Sequence, residues 1–218
     1  MRKIGCLCLI CLLLLLCGCG NSLRIPEHSI PFNYIFQYHY RVDEQSATRL
    51  GKHPTHVNLH YYAIDGLPED EFLLAKKFYF WGDSSWMLIQ KEGTKNPILN
   101  HATTIVFTDQ KGKVAFQMDE ANTVSTFVDT YFQLPMISAD QIVCDGTYDK
   151  VEMQIYTTLS CGLYYTIELF AVENTKVVAC IYEATTKKDG DWPTNTVKGY
   201  VDVTTMLPQE AIALFDSP

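Results

Sequence analysis

No histidine follows His101, and that absence removes much of hydrolase chemistry: a serine or cysteine nucleophile late in the chain must take its base from the first half. Local motifs are missing as well. The chain holds no Gly-x-Ser-x-Gly, no P-loop, no dinucleotide fingerprint and no His-Glu-x-x-His, so nucleophile elbows, phosphate cradles and zincin helices leave no signature. Basic residues are scarce, with 17 Lys and Arg against 25 Asp and Glu and a formal charge of -8. Arg2 and Lys3 are the only charged residues before Cys19, so the chain from Cys19 onward carries -10. A deficit of that size excludes nucleic acid as a partner, because phosphates must be neutralised by Lys and Arg. It equally disfavours electrostatic adhesion to an anionic bilayer. Cysteine is rare outside the N-terminus: five of the eight lie in the first nineteen residues, leaving Cys144, Cys161 and Cys180. Three is an odd number, so at most one internal disulfide forms, and burial as small apolar residues is the ordinary fate of such thiols. No repeat or low-complexity block interrupts the pattern, and 47% hydrophobic with 19% charged content describes a globular chain rather than a disordered stalk.

What the chain does have is concentrated first at its N-terminus. Arg2 and Lys3 precede an uncharged apolar run from Ile4 to Leu16, which is the n-region and h-region of a secretory signal. As a helix those thirteen residues reach about 20 Å, short of the ~30 Å hydrocarbon core, so the run is too short for a permanent span. Its end, Leu16-Cys17-Gly18-Cys19, resembles the lipobox of bacterial lipoproteins, with Cys17 where the pattern usually has Ala, Ser or Thr. The resemblance implies a signal peptide over residues 1–18 and a covalent lipid, a palmitate-type acyl group, on Cys19. It implies a protein held on the extracytoplasmic face of the cell membrane, with the membrane a partner through that lipid and no other cofactor. Residues 19–28, with Gly20-Asn21-Ser22, read as a polar tether, and residues 29–218 as a single domain.

Within that domain, Ser29 to Val42 alternates aromatic and polar residues and reads as a strand, as does His56 to Ile64, with a polar link from Asp43 to Pro54 between them. Paired as antiparallel neighbours, these two strands would bring His39 onto one surface with His56 and His60. Pro68, the acids Glu69 to Glu71 and the bases Lys76 and Lys77 predict a short helix to about Lys77. Phe78 to Trp81 and Trp86 to Lys91 read as strands across a Gly82-Asp83-Ser84-Ser85 turn, and Thr103 to Thr108 with Val114 to Met118 as a hairpin. Val124, Phe127, Val128, Tyr131 and Phe132 form one apolar stripe at helical spacing, capped by Asp119 or Asn122 and ended by Leu134-Pro135. Val151 to Thr158, Leu163 to Val172 and Val177 to Ala184 predict a meander. Two-residue closure at Asn174-Thr175 sets Leu169 opposite Cys180, and the other turn sets Ile167 opposite Met153. Thr196 to Val203 adds a strand, and Leu207-Pro208 opens a short last helix. The sum is an α+β domain: an antiparallel sheet, meander-rich in its C-terminal half, with two or three packed helices.

Three groups are candidates for function. His39, His56 and His60 are the tentative metal set; imidazoles four apart on one strand lie about 13 Å apart, so a site needs His39 from the neighbouring strand, or His53 folding back, plus a carboxylate such as Asp43 or Glu44. Gly82-Asp83-Ser84, after Phe78 to Trp81, is similar to the nucleophile block of the GDSL hydrolases, a family that also needs a C-terminal Asp-x-x-His and a doubly wound sheet. With no histidine after His101, the turn reading is adopted there. Finally, 13 Tyr, 11 Phe and 3 Trp allow an aromatic contact surface, with Trp81, Trp86 and above all the loop residue Trp192 as ligand-contact anchors. The function expected is a non-enzymatic binding domain for an envelope protein, peptide or glycan. The alternative is an envelope hydrolase with a dispersed, metal-dependent site.

Overall fold

The computed structural model describes residues 34–37, 39–42, 47–52, 58–82, 84–109, 111–142, 150–159, 161–172, 176–185 and 193–215. Alternation of apolar and polar residues dominates these segments, and most of them are strands. They are β1 (Tyr34–Gln37), β2 (Tyr40–Val42), β3 (Thr48–Lys52), β4 (Leu59–Ala63), β5 (Phe72–Phe78), β6 (Ser84–Lys91), β7 (Ala102–Thr108) and β8 (Val114–Met118). After the helix α1 (Ala121–Tyr131) come β9 (Met136–Ser138), β10 (Lys150–Thr157), β11 (Leu163–Val172), β12 (Lys176–Thr185), β13 (Thr194–Asp202) and the one-turn helix α2 (Gln209–Ile212).

Two antiparallel sheets result. One runs β1-β6-β5-β4-β3, the other β8-β7-β10-β11-β12-β13-β9, and β2 joins the second by pairing with β11. The expected antiparallel architecture is present, but sheet takes a larger share than expected: among the described residues only α1 exceeds one α-helical turn. Val151, Met153 and Ile155 of β10 and Leu163, Tyr165, Ile167 and Leu169 of β11 are buried on one face, as a period of two requires. They join Phe72, Leu74 and Leu88 from the other sheet and the α1 stripe Val124, Phe127, Val128 and Tyr131 in one continuous core. Each fully buried Leu or Ile there contributes roughly 1.5–3 kcal/mol by leaving water. The Glu120 carboxylate caps α1 by accepting from the amides of Asn122 at 3.1 Å and Thr123 at 2.6 Å. Neither Asp119 nor Asn122 does so. The Thr123 hydroxyl, together with those two amides, holds the Glu120 carboxyl below its ordinary value.

Several expectations are corrected. The helix from Pro68 to Lys77 is a single turn, with the Phe72 amide donating to the Pro68 carbonyl at 2.9 Å, after which β5 begins. The central position of β5 explains this: it pairs with β4 on one side and β6 on the other, and both its faces are covered. Phe72 and Leu74 enter the main core, while Leu73 and Ala75 pack with Leu59, Tyr61 and Ile89 on the opposite face. A strand buried on both faces shows a continuous apolar run instead of an alternation. The polar link contains β3, and the aromatic stretch before Val42 is divided into β1 and β2, which belong to different sheets. The register of β11 with β12 also differs. Val172 pairs with Lys176, so three residues separate the paired strand ends in sequence; Leu169 faces Ala179, and Cys180 pairs with Glu168. That single step moves Cys180 to the other face, beside Val172, Val178 and Tyr200. Cys161 stays in the main core, so the two thiols, neither of them in a disulfide, are buried on opposite sides of the sheet. The β10–β11 register, with Ile167 opposite Met153, is as expected.

Candidate functional site

The amphipathic pattern of α1 buries Val124, Phe127, Val128 and Tyr131 and leaves Asn122, Thr123, Thr126 and Thr130 at the surface. Between this threonine-bearing flank and the turn before α2 lies a groove of about 500 Å³. Met118, Phe127, Met206, Leu207 and Pro208 supply its apolar surface, and Asn122 with the three threonines supplies hydroxyl and amide groups. Two of those hydroxyls are already committed: Thr130 donates to the Thr126 carbonyl at 2.7 Å, and Thr123 donates to the Glu120 carboxylate. The lining contains no carboxylate, imidazole, amine or thiol. Such a surface offers contact area and neutral hydrogen bonds but no proton donor or acceptor near neutral pH. Its volume falls within the range of small-ligand pockets, roughly 300–1,000 Å³. The 3.6-residue stripe was legible in the sequence; the groove was not, because Met206 to Pro208 meet α1 only through the fold.

The histidines do not converge. His39 lies between β1 and β2 and is 7% exposed. Its Nδ1 donates to the Thr166 carbonyl at 2.9 Å, and its Nε2 accepts the Tyr182 amide at 2.9 Å. The His39 carbonyl also accepts the Thr166 amide at 2.8 Å. The imidazole therefore bridges β11 and β12 where their pairing ends at Glu168 and Cys180, and it uses both ring nitrogens in doing so. Its ring stacks on Tyr165, with centroids 5.0 Å apart. Burial holds its pKa below the ordinary histidine value, with Arg41 adding to the effect and the hydrogen bond to Thr166 opposing it. A neutral imidazole with its lone pair already engaged is a poor metal ligand.

Beside it, burial acts to raise the Glu168 carboxyl, but hydrogen bonds from Lys150 and Tyr182 outweigh burial and leave the group below its ordinary range. The Tyr182 hydroxyl donates to Glu168 at 2.7 Å. His60 is elsewhere, on β4 opposite Lys52 and Lys76, with its ring 4.8 Å from that of Phe78. The strands flanking His39 pair with β6 and β11, not with β4 or its neighbours, which corrects the expected strand pairing. Lysines facing His60 also oppose a dication. Among the described residues no three His, Cys, Asp or Glu side chains are grouped to hold a metal. His53, His56, Asp43 and Glu44 lie outside the described residues, as do Cys19, Cys144 and Trp192.

The aromatic candidates separate clearly. Trp86 is half-buried, its ring 4.8 Å from Tyr62 and the Lys76 Nζ 4.5 Å above it, so it serves sheet packing. Trp81 is 85% exposed and adjacent Phe80 is 95% exposed, at the tip of the β5–β6 hairpin. The sequence had placed Trp81 inside a strand; β5 instead ends at Phe78, opposite Ser84. Ser84 thus opens a strand in an antiparallel hairpin, a setting unlike the doubly wound sheet of the GDSL hydrolases. No helix among the described residues is long and apolar enough to cross a membrane. Comparison with protein-family models, with curated proteins and with solved structures finds no match to this chain.

Proposed function

We propose that the protein is a lipid-anchored bacterial envelope lipoprotein, attached through Cys19 on the extracytoplasmic face, whose domain works as a non-enzymatic binding module. The α1 groove carries the reading of the domain: it has the volume and apolar surface of a ligand site and only uncharged groups in its lining. Among envelope protein, peptide and glycan, the methionine, leucine and proline lining favours an apolar peptide segment. A sugar would ask for more hydrogen-bonding groups than this surface presents. The lipobox-like Leu16-Cys17-Gly18-Cys19 supports the anchor.

The anchor is tested by mass spectrometry of the membrane fraction from a bacterial host competent for lipidation, which should find acyl mass on Cys19. An unmodified, soluble product would overturn it. The groove is tested by fluorescence anisotropy with a panel of short apolar peptides. Saturable binding is expected, and Thr126→Arg, which puts a charged side chain at an exposed position of the lining, should abolish it without altering the circular dichroism. Binding that survives this substitution, or no saturable peptide binding at all, would refute the groove as the site.

A further inference from the structure

The β5–β6 hairpin pairs from Phe72 opposite Gln90 to Phe78 opposite Ser84, and its tip extends beyond the last pairs made by its neighbours. On one side β4 reaches Lys77 through Leu59, with one more bond from the Phe78 amide to the Asn58 carbonyl at 2.9 Å. On the other, β1 pairs only with Leu88 to Lys91. At the tip Gly82 adopts φ +91°, a conformation that glycine takes at little cost, and its amide donates to the Tyr79 carbonyl at 3.1 Å. That turn carries Tyr79, Phe80 and Trp81 into solvent, the Phe80 and Trp81 rings meeting edge to face at 5.4 Å. Below them the Lys76 ammonium lies over Phe78 and Trp86, at 5.0 and 4.5 Å, and the Lys77 ammonium lies 5.8 Å from the Tyr79 ring.

We propose that this tip is a bilayer-interface anchor: Phe80 and Trp81 enter the boundary between headgroups and acyl chains, while Lys76 and Lys77 remain at the phosphate level. Exposed Trp and aromatic rings over a base of lysines match the composition of the membrane–water interface, where the rings are buried and the ammonium groups stay wet. Size argues against a protein partner at this point. Two such rings present roughly 300–500 Å², less than the ~800 Å² that each side of a stable protein interface contributes. Ring burial is the driving term, so a zwitterionic surface suffices; Asp83 adjoins the tip in sequence, and the chain from Cys19 onward is acidic.

The geometry is compatible with simultaneous attachment at Cys19. β1 runs antiparallel to β6 with Tyr34 opposite Lys91, so the chain enters at the end of the hairpin away from its tip. About ten residues of strand separate the two ends, some 30 Å, whereas the fifteen residues from Cys19 to Tyr34 can span up to about 50 Å. The tip proposal does not require acylation.

The test uses the full chain with Trp86→Phe and Trp192→Phe, leaving Trp81 as its single tryptophan, added to phosphatidylcholine vesicles with and without brominated acyl chains. Trp81 emission should shift to the blue and be quenched by the brominated lipid. Phe80→Ser should weaken that partition about tenfold. Hydrogen exchange on the chain without substitutions gives a second reading, with the amides from Tyr79 to Trp81 slowing on vesicles. Chains that co-sediment with vesicles through the N-terminal segment while Trp81 stays unquenched, or that leave the tip amides unchanged, would overturn the proposal without touching the Cys19 reading. Quenching that Phe80→Ser does not weaken would overturn it too.

Discussion

Replacing His39 by alanine removes two hydrogen bonds that join different strands, and the structure allows the loss to be sized. The Thr166 carbonyl and the Tyr182 amide lose the imidazole that now sits 2.9 Å from each. A fully buried polar group stripped of its partner costs about 1–3 kcal/mol; these two are part-buried, so together they cost up to about 2–6. Loss of the ring stacked on Tyr165 adds roughly 1 kcal/mol. Against a total stability of about 5–15 kcal/mol, this is enough to threaten the fold. Urea unfolding followed by tyrosine and tryptophan fluorescence measures it, and His39→Gln, which keeps one donor and one acceptor, should recover part of the loss.

The pH dependence gives a second signature. Burial places the folded-state pKa of His39 below the ordinary value of 6.5, so the unfolded chain takes up the proton first as the medium is acidified. The contribution of His39 is therefore complete above about pH 6.5 and is lost as pH falls from there through the folded-state value. Its slope is at most about 1.4 kcal/mol per pH unit. Subtracting the alanine variant's stability from the parent's, pH by pH, should isolate that slope. A variant within about 1 kcal/mol of the parent at pH 7.5, or one with the parent's full acid sensitivity below pH 6.5, would refute the bridging role.

Further predictions concern packing and thiols. An added methyl at Gly199 would lie 2.5 Å from the Ile137 carbonyl oxygen and 2.9 Å from Met136 Cγ, so Gly199→Ala should separate β9 from β13. Thermal unfolding should show a loss of roughly 1–3 kcal/mol, and an unchanged melting temperature would contradict the pairing. Leu74 is fully buried in the main core, and Leu74→Ala should cost about 2–5 kcal/mol in denaturant unfolding, whereas a surface helix in its place would lose far less. Cys161 and Cys180 are buried and not in a disulfide, and burial raises the Cys161 thiol above its ordinary range. Both should resist alkylation until the protein is unfolded, and rapid native labelling of either would contradict the packing.

Legibility in the sequence followed the number of faces each strand exposes. β10 and β11 are buried on one face and polar on the other, and their alternation revealed both the strands and their mutual register. β5 has two covered faces, so Phe72 to Ala75 showed no alternation and the flanking charges imitated a helix. The β11–β12 register turned on whether two or three residues close the connection, which no apolar pattern encodes; one residue was enough to move Cys180 across the sheet. Of the candidate sites, Trp81 stood beside Trp86 as a strand tryptophan, and only the end of β5 at Phe78 separates the exposed ring from the half-buried one. His39 was visible as a histidine but not as a bridge, since its partners are 127 and 143 residues away. Metal spacing therefore carried more weight in the sequence reading than burial, which the fold alone supplies.

Those same separations govern the order in which the molecule can assemble. β1 closes an edge of one sheet against β6, and β2 fills the end of β11 in the other, so Tyr40 to Val42 wait for partners made much later. The Tyr182 amide that completes the His39 bridge is synthesised 143 residues after the imidazole it meets. Closing a loop of that length is entropically costly and is rewarded only once β11 and β12 exist, which is the condition for slow, late-forming contacts. Until β1 and β2 dock, the edges of β6 and β11 stand open to strands of other chains. His39 and β2 thus exist long before the groups of β11 and β12 that they meet, and any truncation before Tyr182 leaves His39 without one of them.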